Sequence, residues 1–238
     1  MGTTPLPHRL RRRGSLASLV GDEVIGVVVF PGSNCELDVQ WALQALGAET
    51  EIVWHRDTDL SGIDAVVLPG GFAHGDYLRT GAIARFSPVM TSVAEMAAAG
   101  RPVVGICNGF QILCEARLLG GALIANRDLS FICRPVEIEV VDSGTVLTAA
   151  VEPGTVLTLP LNSYEGQFTD PAEDVRIVAR YVADVNGSQG RAAAVANAGG
   201  NVVGIMPHPE RSSEEILGSA DGRVLLEGLV AATERMTV

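Results

Sequence analysis

Lysine is absent from this 238-residue chain, and all 17 of its basic residues are arginine. That absence removes a phosphate-loop lysine, a Schiff-base lysine and a Ser–Lys dyad from the chemistries open to it. Aromatic residues are scarce at 5%. No apolar run approaches the roughly 18 residues that a membrane-crossing helix needs. The four cysteines, Cys35, Cys107, Cys114 and Cys133, form no CxxC pair and have no histidine at zinc-finger spacing. No metal site is therefore expected, and at most one or two cysteines should be chemical, the others small buried hydrophobes. Leu16 to Val20 resembles the start of a signal-peptide core, but Gly21, Asp22 and Glu23 end it at once. A cytoplasmic chain with reduced thiols is the expectation.

Acidic side chains number 28, for a formal charge of −11. The first 21 residues hold Arg9, Arg11, Arg12 and Arg13 and no acid, so the remainder is more acidic still. Such a body repels nucleic acid and anionic membranes, and neither is an expected partner. Residues 1–22 read as a disordered basic extension, and 23–238 as a single domain with a sizeable core.

Short β-branched runs alternate with helical patterns. Val24–Phe30, Glu51–Trp54, Ala65–Leu68 and Pro102–Ile106 read as strands; Glu36–Leu46, Thr80–Ala99 and Asn108–Leu118 read as helices. That alternation predicts βαβ units and a parallel sheet. After residue 131 come strands without intervening helices, at Val136–Val141, Val156–Leu161, Arg176–Val182, Ala192–Ala196 and Val202–Met206. They predict an antiparallel or mixed extension of that sheet. A last helix is expected over Ser213–Ala231.

Reactive groups in open α/β sheets gather at the carboxyl ends of strands, and three such ends are informative here. Gly105-Ile106-Cys107-Asn108-Gly109 joins a strand directly to a helix, with small residues two before and two after the cysteine. That is a nucleophile elbow with sulfur at its tip, presented to a helix N-terminus that favours a thiolate. Met206-Pro207-His208-Pro209-Glu210 places an imidazole and a carboxylate two apart, on the same side of an extended backbone. Glu210 there orients His208, and His208 takes the thiol proton. Pro69-Gly70-Gly71-Phe72 aims a backbone N–H into the site; with the N–H of Asn108 it makes a two-donor oxyanion hole. Each motif alone fits an ordinary turn or loop; together they point to acyl transfer. His55 reads as a surface or capping residue, His74 and Asp76 as a positioning loop, and Cys114 as core. Cys35 is a rival nucleophile without elbow glycines.

The set Cys107 in GICNGFQIL, MPHPER at 206–211, GGFAHGDYLRTGA at 70–82, PGSNCELD at 31–38 and DVNGS at 184–188 resembles the class I, triad-type glutamine amidotransferases. Within them it is similar to the glutaminase subunits of phosphoribosylformylglycinamidine synthases. The resemblance covers about residues 24–230. It implies an open, mainly parallel α/β sheet flanked by helices, with antiparallel or mixed strands in the C-terminal half. It implies a Cys107–His208–Glu210 triad that releases ammonia from glutamine, oxyanion donors at Gly71 and Asn108, and a Gln111 contact to glutamine. It also implies partners: a large synthetase subunit that holds ATP and magnesium, and a small accessory subunit. This chain itself then carries no cofactor. Leu161-Asn162-Ser163-Tyr164-Glu165-Gly166-Gln167 departs from the family pattern at Ser163, Tyr164 and Gln167, in the segment that walls the glutamine pocket. Two alternatives stay open: a paralogous subunit feeding another synthetase, and a non-catalytic, chaperone-like protein with Cys107 as redox sensor.

Overall fold

Strand and helix alternate from the first residues of the computed structural model, which describes residues 23–235. The expected basic extension over 1–22 lies outside them. In chain order the elements are β1 (Val24–Val29), α1 (Glu36–Ala45), β2 (Glu49–Trp54), β3 (Ala65–Leu68), α2 (Val89–Ala98), β4 (Val103–Ile106) and α3 (Asn108–Glu115). Then follow β5 (Ala122–Ile124), β6 (Ile132–Val140), β7 (Val156–Ser163), β8 (Gln167–Thr169), β9 (Arg176–Tyr181), β10 (Ala192–Ala196), β11 (Val202–Ile205) and α4 (Arg223–Glu234). Nine strands form one sheet in the order β2-β1-β3-β4-β11-β10-β9-β6-β7, and β5 pairs with β8 apart from it.

The sheet has two halves. From β2 to β11 every pairing is parallel, and from β11 to β7 every pairing is antiparallel. Every residue of β3, β4, β10 and β11 is buried, as expected of strands covered on both faces. Helix α1 packs against β1, β2 and α4, while α3 packs against β3, β4 and β11. Among the described residues no helix is long and apolar enough to cross a membrane.

Two expected helices are shorter than their apolar patterns. Thr80–Ala99 is α-helical only from Val89, because Pro88 opens α2 and the stretch before it is bent, with one 3₁₀ turn at Ala84–Phe86. Leu78 and Gly81 both have φ above +70°, and a Cβ on Gly81 would meet the Ile112 nitrogen at 2.9 Å. Ser213–Ala231 begins its helix at Arg223, after left-handed Gly218 has ended a short 3₁₀ turn. Strands β5 and β8, three residues each, are too short to show an alternating pattern and were not expected.

Among the glycines, the tightest backbone approach fixes the turn between β4 and α3. A Cβ on Gly109 would lie 1.9 Å from the Leu68 carbonyl oxygen, and one on Gly105 would lie 2.6 Å from Gly109. Only glycine lets α3 sit this near β3 and β4. Gly109→Ala should therefore lower stability by about 2 kcal/mol or more. Gly47→Ala, at φ +87 with nothing near its Cβ, should lose only about 1–2 kcal/mol to left-handed strain. Urea unfolding compares them, and equal losses would show that the Leu68 contact does not set the turn.

Candidate active site

Four neighbouring parallel strands deliver their carboxyl ends to one crevice, beside the point between β1 and β3 where the order of strands in the sheet reverses. Asn34 and Cys35 follow β1, Gly70 and Gly71 follow β3, Cys107 follows β4, and His208 and Glu210 follow β11. The cleft they share holds about 250 Å³ and is lined by Gly71, Cys107, Gln111, Ser163, Tyr164 and His208, among others. Asn108 and Glu210 are buried just behind it.

Cys107 has φ 51 and ψ −106, a conformation costing on the order of 1–3 kcal/mol for a side chain with a Cβ. Its N–H is held by the Ile205 carbonyl at 2.8 Å, and its thiol donates to the Asn162 carbonyl at 3.5 Å. His208 is 2% exposed, and its Nδ1 lies 2.6 Å from Glu210 Oε1. With Glu210 as acceptor Nδ1 carries a proton, and Nε2 is buried without a hydrogen bond. Burial opposes charge on His208, but the Glu210 carboxylate and then the Cys107 and Cys35 sulfurs outweigh it, holding its pKa well above the usual value. A proton is thus held on His208 more readily than on a free imidazole.

The two N–H groups expected to serve as oxyanion donors are free to do so. Gly71 has φ +148, and a Cβ there would meet the Gly32 carbonyl at 2.7 Å. Phe72 N–H and Asn34 N–H bond across this contact to Gly32 and Gly70. Among the described residues, nothing accepts the N–H of Gly71 or of Asn108.

Other parts of the site were not legible in the motifs. The Asn108 side chain accepts the Ala73 N–H at 3.0 Å and donates to Gln111 Oε1 at 2.8 Å. Gln111 Nε2 donates to the Glu165 carbonyl at 2.6 Å, so its amide is engaged by the protein at both ends. Thr80 Oγ1 bonds Glu165 Oε2 at 2.7 Å. Behind Gly166, Asn126 donates to Ser163 O and accepts from Gly166 N–H, while Asn186 donates to Gly166 O. The DVNGS run thus buttresses the pocket wall. Ser163 Oγ is buried without a partner, and Tyr164 is half exposed at the rim.

Two sequence expectations are corrected. His55 is buried, not at the surface: its Nδ1 lies 3.1 Å from Ser87 Oγ and its ring packs edge-on to His74. Burial and then the neighbouring His74 depress its pKa. Cys133 is exposed rather than core, because β6 runs to the rim there and its thiol donates to Asn162 Oδ1 at 2.9 Å. Cys114 is core as expected, its thiol pushed far up in pKa by burial.

The sequence profile of the CobB/CobQ-like glutamine amidotransferase domain matches residues 23–224. The chain belongs to that family. The phosphoribosylformylglycinamidine synthase subunit PurQ of Rubrobacter xylanophilus is 52% identical over 217 residues, covering 88% of this chain and 99% of its own. The subunit of that name from Mycolicibacterium paratuberculosis is 48% identical over 219 residues, covering 87% and 98%. A chain in the solved structure of PurLQS from Thermotoga maritima superposes with TM-score 0.85 at 42% identity, covering 88% of this chain and 98% of that one.

One carboxylate of this amidotransferase domain is out of the ordinary. Asp76, at the cleft, has φ 52 and accepts from Asn108 Nδ2 at 3.3 Å. Burial pushes its pKa up to about 6; the Asn108 hydrogen bond resists and the Glu165 charge adds to the rise. Unfolded, it titrates near 3.8. Between those values the folded state holds a proton that the unfolded chain has released, so this group's contribution to stability falls as pH rises through the window. Asp76→Asn should flatten that fall and be the more stable protein at pH 7. Urea midpoints at several pH values test this, and parallel pH profiles for the two proteins would contradict it.

Proposed function

We propose that this chain is the glutaminase subunit of a phosphoribosylformylglycinamidine synthase, hydrolysing glutamine through Cys107, His208 and Glu210. The observation that carries the catalytic reading is His208: buried, tied to Glu210 at 2.6 Å, with a free Nε2 beside the strained cysteine. A redox sensor or a chaperone-like scaffold has no use for an oriented general base.

Cys107 Sγ attacks the side-chain amide carbon of glutamine, and its proton passes to His208. The oxygen of the tetrahedral intermediate takes the N–H groups of Gly71 and Asn108. His208 returns a proton to the nitrogen, ammonia leaves, and a γ-glutamyl thioester remains on Cys107. Water, deprotonated by His208, cleaves the thioester to glutamate. Glu210 keeps the imidazole in register throughout.

The partner is read from the relatives and from the surface. Two of them bear the name of a synthase subunit, and the related Thermotoga chain belongs to PurLQS. Around the cleft mouth Phe72, Tyr77, Leu78 and Phe131 are exposed, an apolar rim suited to docking. The large synthetase subunit, with a small accessory subunit, then receives the ammonia and handles ATP and magnesium, in a cytoplasmic complex. Formylglycinamide ribonucleotide is the acceptor on this reading. A different acceptor would trace to the Ser163, Tyr164 and Gln167 departures, which lie in the wall and not in the triad.

Cys107→Ala should abolish glutamine-dependent amidine formation by the reconstituted complex while free ammonia still supports it. Equal loss with both nitrogen sources would overturn the nucleophile assignment, and failure of both sources with the wild-type chain would overturn the pathway. Glu210→Gln should lower glutamine turnover by about two to four orders of magnitude while the chain remains folded. Turnover within a few-fold of wild type would remove Glu210 from the mechanism.

A further inference from the structure

Free glutamine carries an α-ammonium and an α-carboxylate, and the steps at Cys107 use neither. Of the guanidinium and carboxylates that line the cleft, Arg211 is engaged by Asp38 and Cys35, and Glu165 by Thr80. Asp76 is the least engaged. Its Oδ1 takes one hydrogen bond, from Asn108 Nδ2 at 3.3 Å, and among the described residues nothing donates to Oδ2. No cation pairs with it there: Arg79, in the same loop, is spent on Glu115.

The backbone holds this half-buried carboxylate at the cleft. Ala73 N–H bonds Asn108 Oδ1 at 3.0 Å, and His74 N–H bonds the Pro31 carbonyl at 2.6 Å. His74, Gly75, Asp76 and Leu78 all have positive φ, from 52 to 74, so the loop turns tightly around Asp76. That loop begins with Gly71, whose N–H is expected to hold the amide oxygen. Asn108, whose N–H is expected to be the second donor, is the residue that touches Asp76. The reacting end of the cleft is thus joined to this carboxylate by one loop and one side chain. Gln111, which family resemblance assigns to glutamine, has its own amide engaged at both ends by Asn108 and the Glu165 carbonyl.

We propose that Asp76 anchors the α-ammonium of glutamine and so selects the free amino acid over amides that lack that charge. The proposal rests on the glutaminase reading and adds to it the recognition of the substrate's far end. A carboxylate and an ammonium partly out of water make a charge-assisted hydrogen bond, which holds the substrate while its amide carbon meets the sulfur. Asp76 binds and moves no proton in the reaction. Its raised pKa costs the fold stability at neutral pH, and a cation in the cleft offsets that cost. The groups facing it are Asn108 from α3 and Glu165 from the wall after β7, whose charge strengthens the pull on a cation.

The test uses the full chain in complex with its synthetase subunit. Hydrolysis is followed as glutamate formed from glutamine and as glutarate formed from glutaramate, which is glutamine without its α-ammonium. Wild type should show a kcat/KM for glutaramate about ten- to a hundredfold below that for glutamine. Asp76→Asn should lose about the same factor on glutamine, through KM with kcat within a few-fold, and almost nothing on glutaramate. Asparagine tolerates the left-handed backbone at this position, and a melting curve checks that the variant folds. In wild type the KM for glutamine should rise as pH falls through about 6, and in Asp76→Asn that rise should vanish. Equal losses on the two substrates, or an unchanged KM for glutamine in Asp76→Asn, would overturn the anchor alone. A wild-type complex that hydrolyses neither substrate would overturn the glutaminase reading and the anchor with it.

Discussion

The nearness of α3 to the sheet is the constraint on which the site depends. Gly109 rests on the Leu68 carbonyl and Gly105 faces Gly109, so the chain has no room to leave β4 by a relaxed path. Cys107 takes the strain, at φ 51. From that one turn follow the sulfur at the cleft, the Asn108 N–H aimed beside it, and the Asn108 and Gln111 side chains that reach Ala73 and Glu165. The elbow therefore does more than present a sulfur to the cleft. It also laces together the loop after β3 and the wall after β7.

Much of this was legible in the sequence, for a physical reason. Strands buried on both faces must be short, apolar and β-branched, and Val24–Val29, Ala65–Leu68, Val103–Ile106 and Val202–Ile205 have no other way to read. Elbow glycines and a His-Pro-Glu step announce themselves because their roles are local. The misses concern groups whose roles are set by remote partners. Helical periodicity over Thr80–Ala99 gave way to Pro88 and to the packing of Gly81 on α3. His55 looked like a strand-end residue and is buried by Ser87 and His74, which lie far along the chain. Asn126 and Asn186 show their value only when Gly166 is seen between them.

The absence of lysine also gains content from the structure. Every permanently charged basic side chain here is a planar guanidinium suited to two-point contacts. Arg79 holds Glu115 with two nitrogens at 2.5 and 2.7 Å, pinning the bent segment before α2 to the end of α3. Arg211 spans Asp38 and Cys35, joining the turn after β11 to α1. An ammonium group would have made one of each pair of contacts.

The two halves of the sheet give the cleft unequal sides. Its floor rises from β1, β3, β4 and β11, strands paired on both flanks, whose amides exchange with solvent only when much of the core opens. Its wall, Asn162 to Glu165, hangs from the end of β7, which pairs with a strand on one flank only; on the other flank Thr158 N–H bonds Asp221 and the Pro160 carbonyl accepts the His208 N–H. The groups proposed to do chemistry are thus mounted on strands paired on both flanks, and the wall beside them on a strand paired on one. Pressure on that wall from outside is therefore felt at the imidazole and the sulfur, through the His208 N–H on Pro160 and the Cys107 thiol on Asn162.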